Sequence, residues 1–123
     1  MLAIPNLNRT PTHSEGIEAI IEGMQRHEGD AGVQEKGCAA FGNLGRNADN
    51  QVEMADAGGI EAILEGMRGH KENAGVQVTG CVALWNLGVN DDNRVKIGEA
   101  GGIEDIVEGI IGASGGSFVR KLV

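Results

Sequence analysis

Aromatic side chains are nearly missing from this sequence of 123 residues, which has no Tyr, two Phe and one Trp, 2% in all. With 41% hydrophobic residues and 21 Gly, the core has to be aliphatic and its elements closely spaced. Long apolar runs are absent too; none approaches the roughly 18 residues that a membrane helix needs. The opening MLAIPNLNRTPTH is too short and too broken by Pro for a secretion signal. Basic residues are in deficit, 10 against 18 acidic, for a net charge of −8 at pH 7. That balance argues against nucleic-acid or anionic-membrane partners, which are held mainly by Lys and Arg. It suits solubility and a basic partner. No metal-ligand cluster, phosphate-binding glycine loop or nucleophile motif stands out, so neither a cofactor nor an enzymatic reaction is expected. The length supports one domain with one modest core.

What is present is repetition. GIEAIIEGM begins at Gly16, GIEAILEGM at Gly59 and GIEDIVEGI at Gly102, each 43 residues after the last, and residues 16–58 match 59–101 at 25 of 43 positions. A period of this size marks an array of helical units. Within the GIEAI segments, Ile17, Ile20, Ile21 and Met24 stand at i, i+3, i+4 and i+7, as do Ile60, Ile63, Leu64 and Met67, then Ile103, Ile106, Val107 and Ile110. A second amphipathic helix follows at about 33–45 and 76–88, with Val33, Gly37, Ala40, Phe41 and Leu44, then Val76, Gly80, Ala83, Leu84 and Leu87, toward the core. A shorter helix is expected to start at the capping pairs Asp49-Asn50 and Asp92-Asn93. Gly58-Gly59 and Gly101-Gly102 permit a sharp turn into the next helix. The recurrent Gly23, Gly66 and Gly109, and Gly37 and Gly80, predict close helix approach, since each otherwise weakens its helix. GASGGSF at 112–118 reads as a flexible connection.

A short helix ending in AGG, a longer GIEAILEGM helix and a third helix written VQxxGCxALxNLG together resemble the armadillo repeat, over residues 14–123. The resemblance implies an all-α, right-handed solenoid of three-helix repeats whose third helices line a groove for an extended peptide or partner protein. On this reading 1–13 is an irregular N-terminal segment, 14–46 a partial first repeat, 47–89 a complete one and 90–123 a truncated last one. Pro11 and the lack of apolar pattern in LNRTPTHSE stand where the family has a first helix. The third repeat runs only into FVRKLV, with Val119 in register with Val76. Each unit of such an array buries its apolar face on a neighbour. The chain is therefore expected either to belong to a longer array or to cover its C-terminal edge as a homodimer, through Ile103, Ile106, Val107, Ile110, Ile111, Phe118, Val119 and Leu122; the other reading folds these residues onto its own second repeat.

At 100° per residue, Trp85 points about 155° away from the core direction of its helix. Val78, Cys81, Val82 and Val89 lie on the same outward side, making Val78, Val82, Trp85 and Val89 a candidate partner-binding patch. Their equivalents are Glu35, Cys38, Ala39, Gly42 and Arg46, and Trp85 is expected to lean over the space left by Gly42 and Ala39. Asn43 and Asn86 match the groove Asn of the family, which implies a hold on the main chain of a bound peptide; one acceptor and two donors suit that task. A local hydrogen bond is the other reading for both. The aromatic often found four residues earlier in the family is Ala39 and Val82 here, which weakens a nuclear-import type of binding. Parallel helices pack about 8–10 Å apart, beyond disulfide reach, so Cys38 and Cys81 are expected to be free thiols in a reducing, intracellular setting, cytoplasmic or nuclear. His27 and His70 are likewise repeat equivalents, and a catalytic pairing of His70 with Cys81 is not expected.

Overall fold

The structure is a computed structural model that describes residues 12–113, and the chain there is all-helical. Five of the helices begin where a side chain accepts from one of their first free N–H groups. Thr12 Oγ1 accepts from Glu15 N at the start of α1 (His13–Arg26), and Asp30 Oδ1 from Val33 N at the start of α2 (Ala31–Leu44). Asn47, Asn73 and Asn90 cap α3 (Ala48–Asp56), α5 (Ala74–Leu87) and α6 (Asp91–Glu99) in the same manner. α4 (Gly59–Gly69) and α7 (Gly102–Ala113) follow Gly58 and Gly101, whose φ of 94° and 80° lie in the left-handed region where a side chain is strained.

Two expectations change here. The caps of the short helices are Asn47 and Asn90, not Asp49-Asn50 and Asp92-Asn93. Asn50 and Asn93 sit one turn inside and turn backward, donating Nδ2 to Leu44 O and Leu87 O, the last carbonyls of α2 and α5, at 3.0 Å each. Of the connection expected at 112–118, Gly112 and Ala113 belong to α7; the rest of it, with Phe118, Val119 and Leu122, lies outside the described residues.

Helices 43 residues apart pack on one another: α4 on α1, α7 on α4, α6 on α3 and, along its length, α5 on α2. Ile17, Phe41, Met54, Ile60, Ile63, Leu64, Met67, Leu84 and Leu87 are the largest side chains removed from water, and burying each contributes on the order of 2 kcal/mol. Phe41 is the sole aromatic among them, which the aliphatic composition anticipates. Glycine sets the spacing. A Cβ on Gly37 would stand 2.5 Å from Met24 Sδ, and one on Gly80 2.6 Å from Met67 Cγ, so these positions let the methionines lie against the helix. Gly66 and Gly109 likewise admit the Oε1 atoms of Gln34 and Gln77. Gly23 departs from the expectation, with nothing within 4 Å, because no third helix precedes α1 among the described residues.

These environments predict opposite signs for one substitution. Gly23→Ala should raise unfolding free energy by up to about 1 kcal/mol, since only helix propensity changes. Gly59→Ala should lower it by about 1–3 kcal/mol, because its Cβ would stand 2.7 Å from the backbone oxygen of Met54, which cannot rotate away. Urea denaturation of both variants checks the pair.

Candidate functional site

The outward face of α5 carries Val78, Val82, Trp85 and Val89 at i, i+4, i+7 and i+11, one stripe along the helix and just past its end. They are exposed by 53%, 51%, 80% and 64%. Four large apolar residues stand in a row on one helix face, the most exposed of them the only Trp, rather than scattered singly over the surface. The opposite face holds Val76, Ala83, Leu84 and Leu87, each at most 1% exposed, so the helical angles place both sets as expected.

The register of 43 explains why this face is open. The residue equivalent to Trp85 is Gly42, which is buried under α5. α5 thus presents to solvent the side that α2 buries, and no further third helix lies on it among the described residues. The space at Gly42 is filled by Val82, whose Cγ1 would meet a Cβ there at 3.5 Å, and not by Trp85 as expected. Trp85 lies one turn further along and points away from α2.

Asn86 and Asn43 part company for the same reason. Asn86 is half-buried and donates Nδ2 to Gly42 O at 2.7 Å, tying α5 to α2. Its carbonyl oxygen has no donor among the described residues. Asn43 has no third helix beneath it; it is exposed, without a side-chain hydrogen bond among the described residues. On α7, Ile103, Val107 and Ile110 are exposed by 65%, 41% and 53%, whereas Ile106 packs against the core and Ile111 is buried. The equivalent residues of α1 and α4 are covered by α2 and α5; the described part of the third repeat ends before such a helix.

Sequence reasoning missed two sets of residues. Cys38, expected on the outward side with Cys81, is fully buried, because α5 covers it; Cys81, one repeat later, is half-buried. Gln34 and Gln77, polar letters in apolar helices, are 2% and 3% exposed and donate Nε2 to the ends of the preceding helices: Gln34 to Met24 O and His27 O, Gln77 to Met67 O and His70 O. Their recurrence in VQ at both repeats was the available signal. His70 Nε2 lies 2.8 Å from Glu28 O, so its ring is engaged across the repeat boundary rather than with Cys81. Among the described residues no group of three His, Cys, Asp or Glu could hold a metal ion, and no helix is long and apolar enough to cross a membrane.

Burial pushes the Cys38 thiol up from an ordinary 9.0 to about 12; nearby Cys81 adds to the rise and a Thr79 hydrogen bond opposes it. Burial also raises Cys81. A folded value above the unfolded one means that the associated stability is complete below about pH 9 and is lost as pH rises toward about 12. Unfolding free energy should therefore fall by up to ~1.4 kcal/mol per unit in that window. Urea titrations at several alkaline pH values should show this slope in the wild type and a shallower one in Cys38→Ala; equal slopes would show that another group is responsible. Comparison with known proteins finds no matching family model, no matching curated protein and no matching solved structure.

Proposed function

We propose that the chain is a segment of a right-handed, armadillo-like solenoid that works by binding another protein, with the face of α5 as its contact surface. One observation carries this reading: the stripe Val78, Val82, Trp85 and Val89, exposed along a helix whose other face is firmly packed. An amphipathic or extended partner segment covers such a stripe by placing apolar side chains at matching intervals. Trp85 is its anchor, since a Trp near the centre of an apolar patch contributes most per residue to binding. Asn86 follows Trp85 on α5 and Asn43 is the matching exposed amide on α2, and such amides supply the acceptors and donors that the main chain of an extended segment needs. The repeat period and the stacking of helices 43 residues apart support the solenoid reading.

A second reading rests on α7. Its exposed Ile103, Val107 and Ile110 occupy the face that α1 and α4 bury, which favours a second copy of the chain as the cover, as a homodimer.

Peptides selected on the intact protein from a random display library should shift the emission of Trp85, the only tryptophan. Trp85→Ala should weaken them by about 30-fold, the equivalent of ~2 kcal/mol. Selected peptides that leave the emission unchanged would remove the α5 site. For the homodimer, sedimentation equilibrium should give a dimer that Val107→Glu converts to monomer while Trp85→Ala leaves it intact; a monomeric wild type at high concentration excludes this reading.

A further inference from the structure

The repeat permits a position-by-position comparison of two equivalent grooves on the side of the molecule formed by α1, α4 and α7. The groove between α4 and α7 is closed, with a residual volume of about 10 Å³. Arg68 crosses it, its guanidinium 2.6 and 2.8 Å from Asp105 Oδ2 and 2.6 Å from Ala100 O, and Lys71 Nζ meets Glu108 at 3.5 Å. The groove between α1 and α4 is open, with a volume of about 540 Å³. In it Gln25 stands for Arg68, Ala62 for Asp105, Glu28 for Lys71 and Glu65 for Glu108. Both cations have been replaced. Where the closed groove has a Lys and Glu pair, the open one has two glutamates, neither within ion-pair distance of a cation among the described residues, though Glu65 feels the charge of Arg68 at the rim.

The floor adds a third acceptor. Gln34 is 2% exposed, its Nε2 is spent on Met24 O and His27 O, and its Oε1 lies against Gly66 without a donor among the described residues. Arg68, the one basic residue at the rim, is turned away to Asp105 and Ala100. His70 Nε2 pins the carbonyl of Glu28, which holds the segment carrying that residue against the second repeat. An open groove lined by Glu28, Glu65 and the amide oxygen of Gln34 suits a planar cation with several donors.

We propose that the groove between α1 and α4 seats an arginine side chain of a partner polypeptide, with Glu28 and Glu65 as counter-charges and Gln34 Oε1 as the acceptor at its floor. The seat is distinct from the α5 stripe and does not depend on it. The net charge of −8 favours encounter with a basic chain, and one repeat later the Lys71 ammonium opposite Glu108 shows a cation at the place that Glu28 and Glu65 line here.

The test is a titration of the intact protein with hexa-arginine amide at low salt, followed by amide chemical shifts, with hexa-citrulline amide as the neutral control. Saturable shifts are expected at Gly29, Gly66 and Gly69, and none with citrulline. Glu28→Lys recreates the arrangement of Lys71 and Glu108 and should weaken binding by about tenfold or more. Glu61→Lys, with the same charge change on an exposed residue outside the groove, should weaken it by less than about threefold. Glu65→Gln should follow Glu28→Lys, and Trp85→Ala should bind as the wild type does, whatever the fate of the α5 reading. The proposal is overturned if shifts spread over the acidic surface without preference for Gly66, or if folded Glu28→Lys and Glu61→Lys are weakened equally.

Discussion

The arrangement of these helices depends on a buried amide. An α-helix leaves its last carbonyls without intrahelical donors, and burying such an end unpaired costs on the order of 1–3 kcal/mol per group. Gln34 and Gln77 meet this need for α1 and α4, each giving its Nε2 to one carbonyl in the last turn and to that of the residue just past the helix. Asn50, Gln51 and Asn93 do the same for the ends of α2 and α5. A helix end tied at two points to the flank of the next helix has little freedom in crossing angle. The glycines at 66 and 109 let the following repeat close over the amide. The clamp thus sets both the fold of one repeat and the distance to the next.

Because the repeats stack in register, exposure follows from neighbours rather than from side-chain type. Cys38 and Cys81 share a repeat position, yet one is sealed and the other half-open. Gly42 and Trp85 share another: α5 lies on the first, and nothing among the described residues lies on the second. A small residue stands where the next helix packs and a large one where the face is open. That substitution, set on an apolar stripe, supports the reading of α5 as a contact surface.

The same logic separates the two grooves beside α4. Equivalent repeat positions carry Arg68 and Asp105 in one and Gln25 and Ala62 in the other. Two side-chain pairs convert a filled contact into an open acidic recess. Repeat proteins diversify in this manner, with clamps and core retained while positions facing the gaps between units change.

The helices and their core faces were legible before any coordinates. Ile60, Ile63, Leu64 and Met67 recur at helical spacing, and the two faces of α5 separate by angle alone, since burial on one side of a helix follows from a period of 3.6. Left-handed Gly58 and Gly101 were legible as well, because few other residues accept that turn. The roles of the amides were not: Asn50 reads locally as a cap, and only the nearness of Leu44 O turns it backward. Nor was the burial of Cys38, the partner of Asn86 or the use of Val82 at Gly42, each of which depends on a contact between residues about 43 positions apart. Sequence by itself determined where helices form and which side of each avoids water, because those follow from neighbours within a turn. Tertiary structure alone decided which of the repeated faces are covered, because that depends on which helix lies across each one.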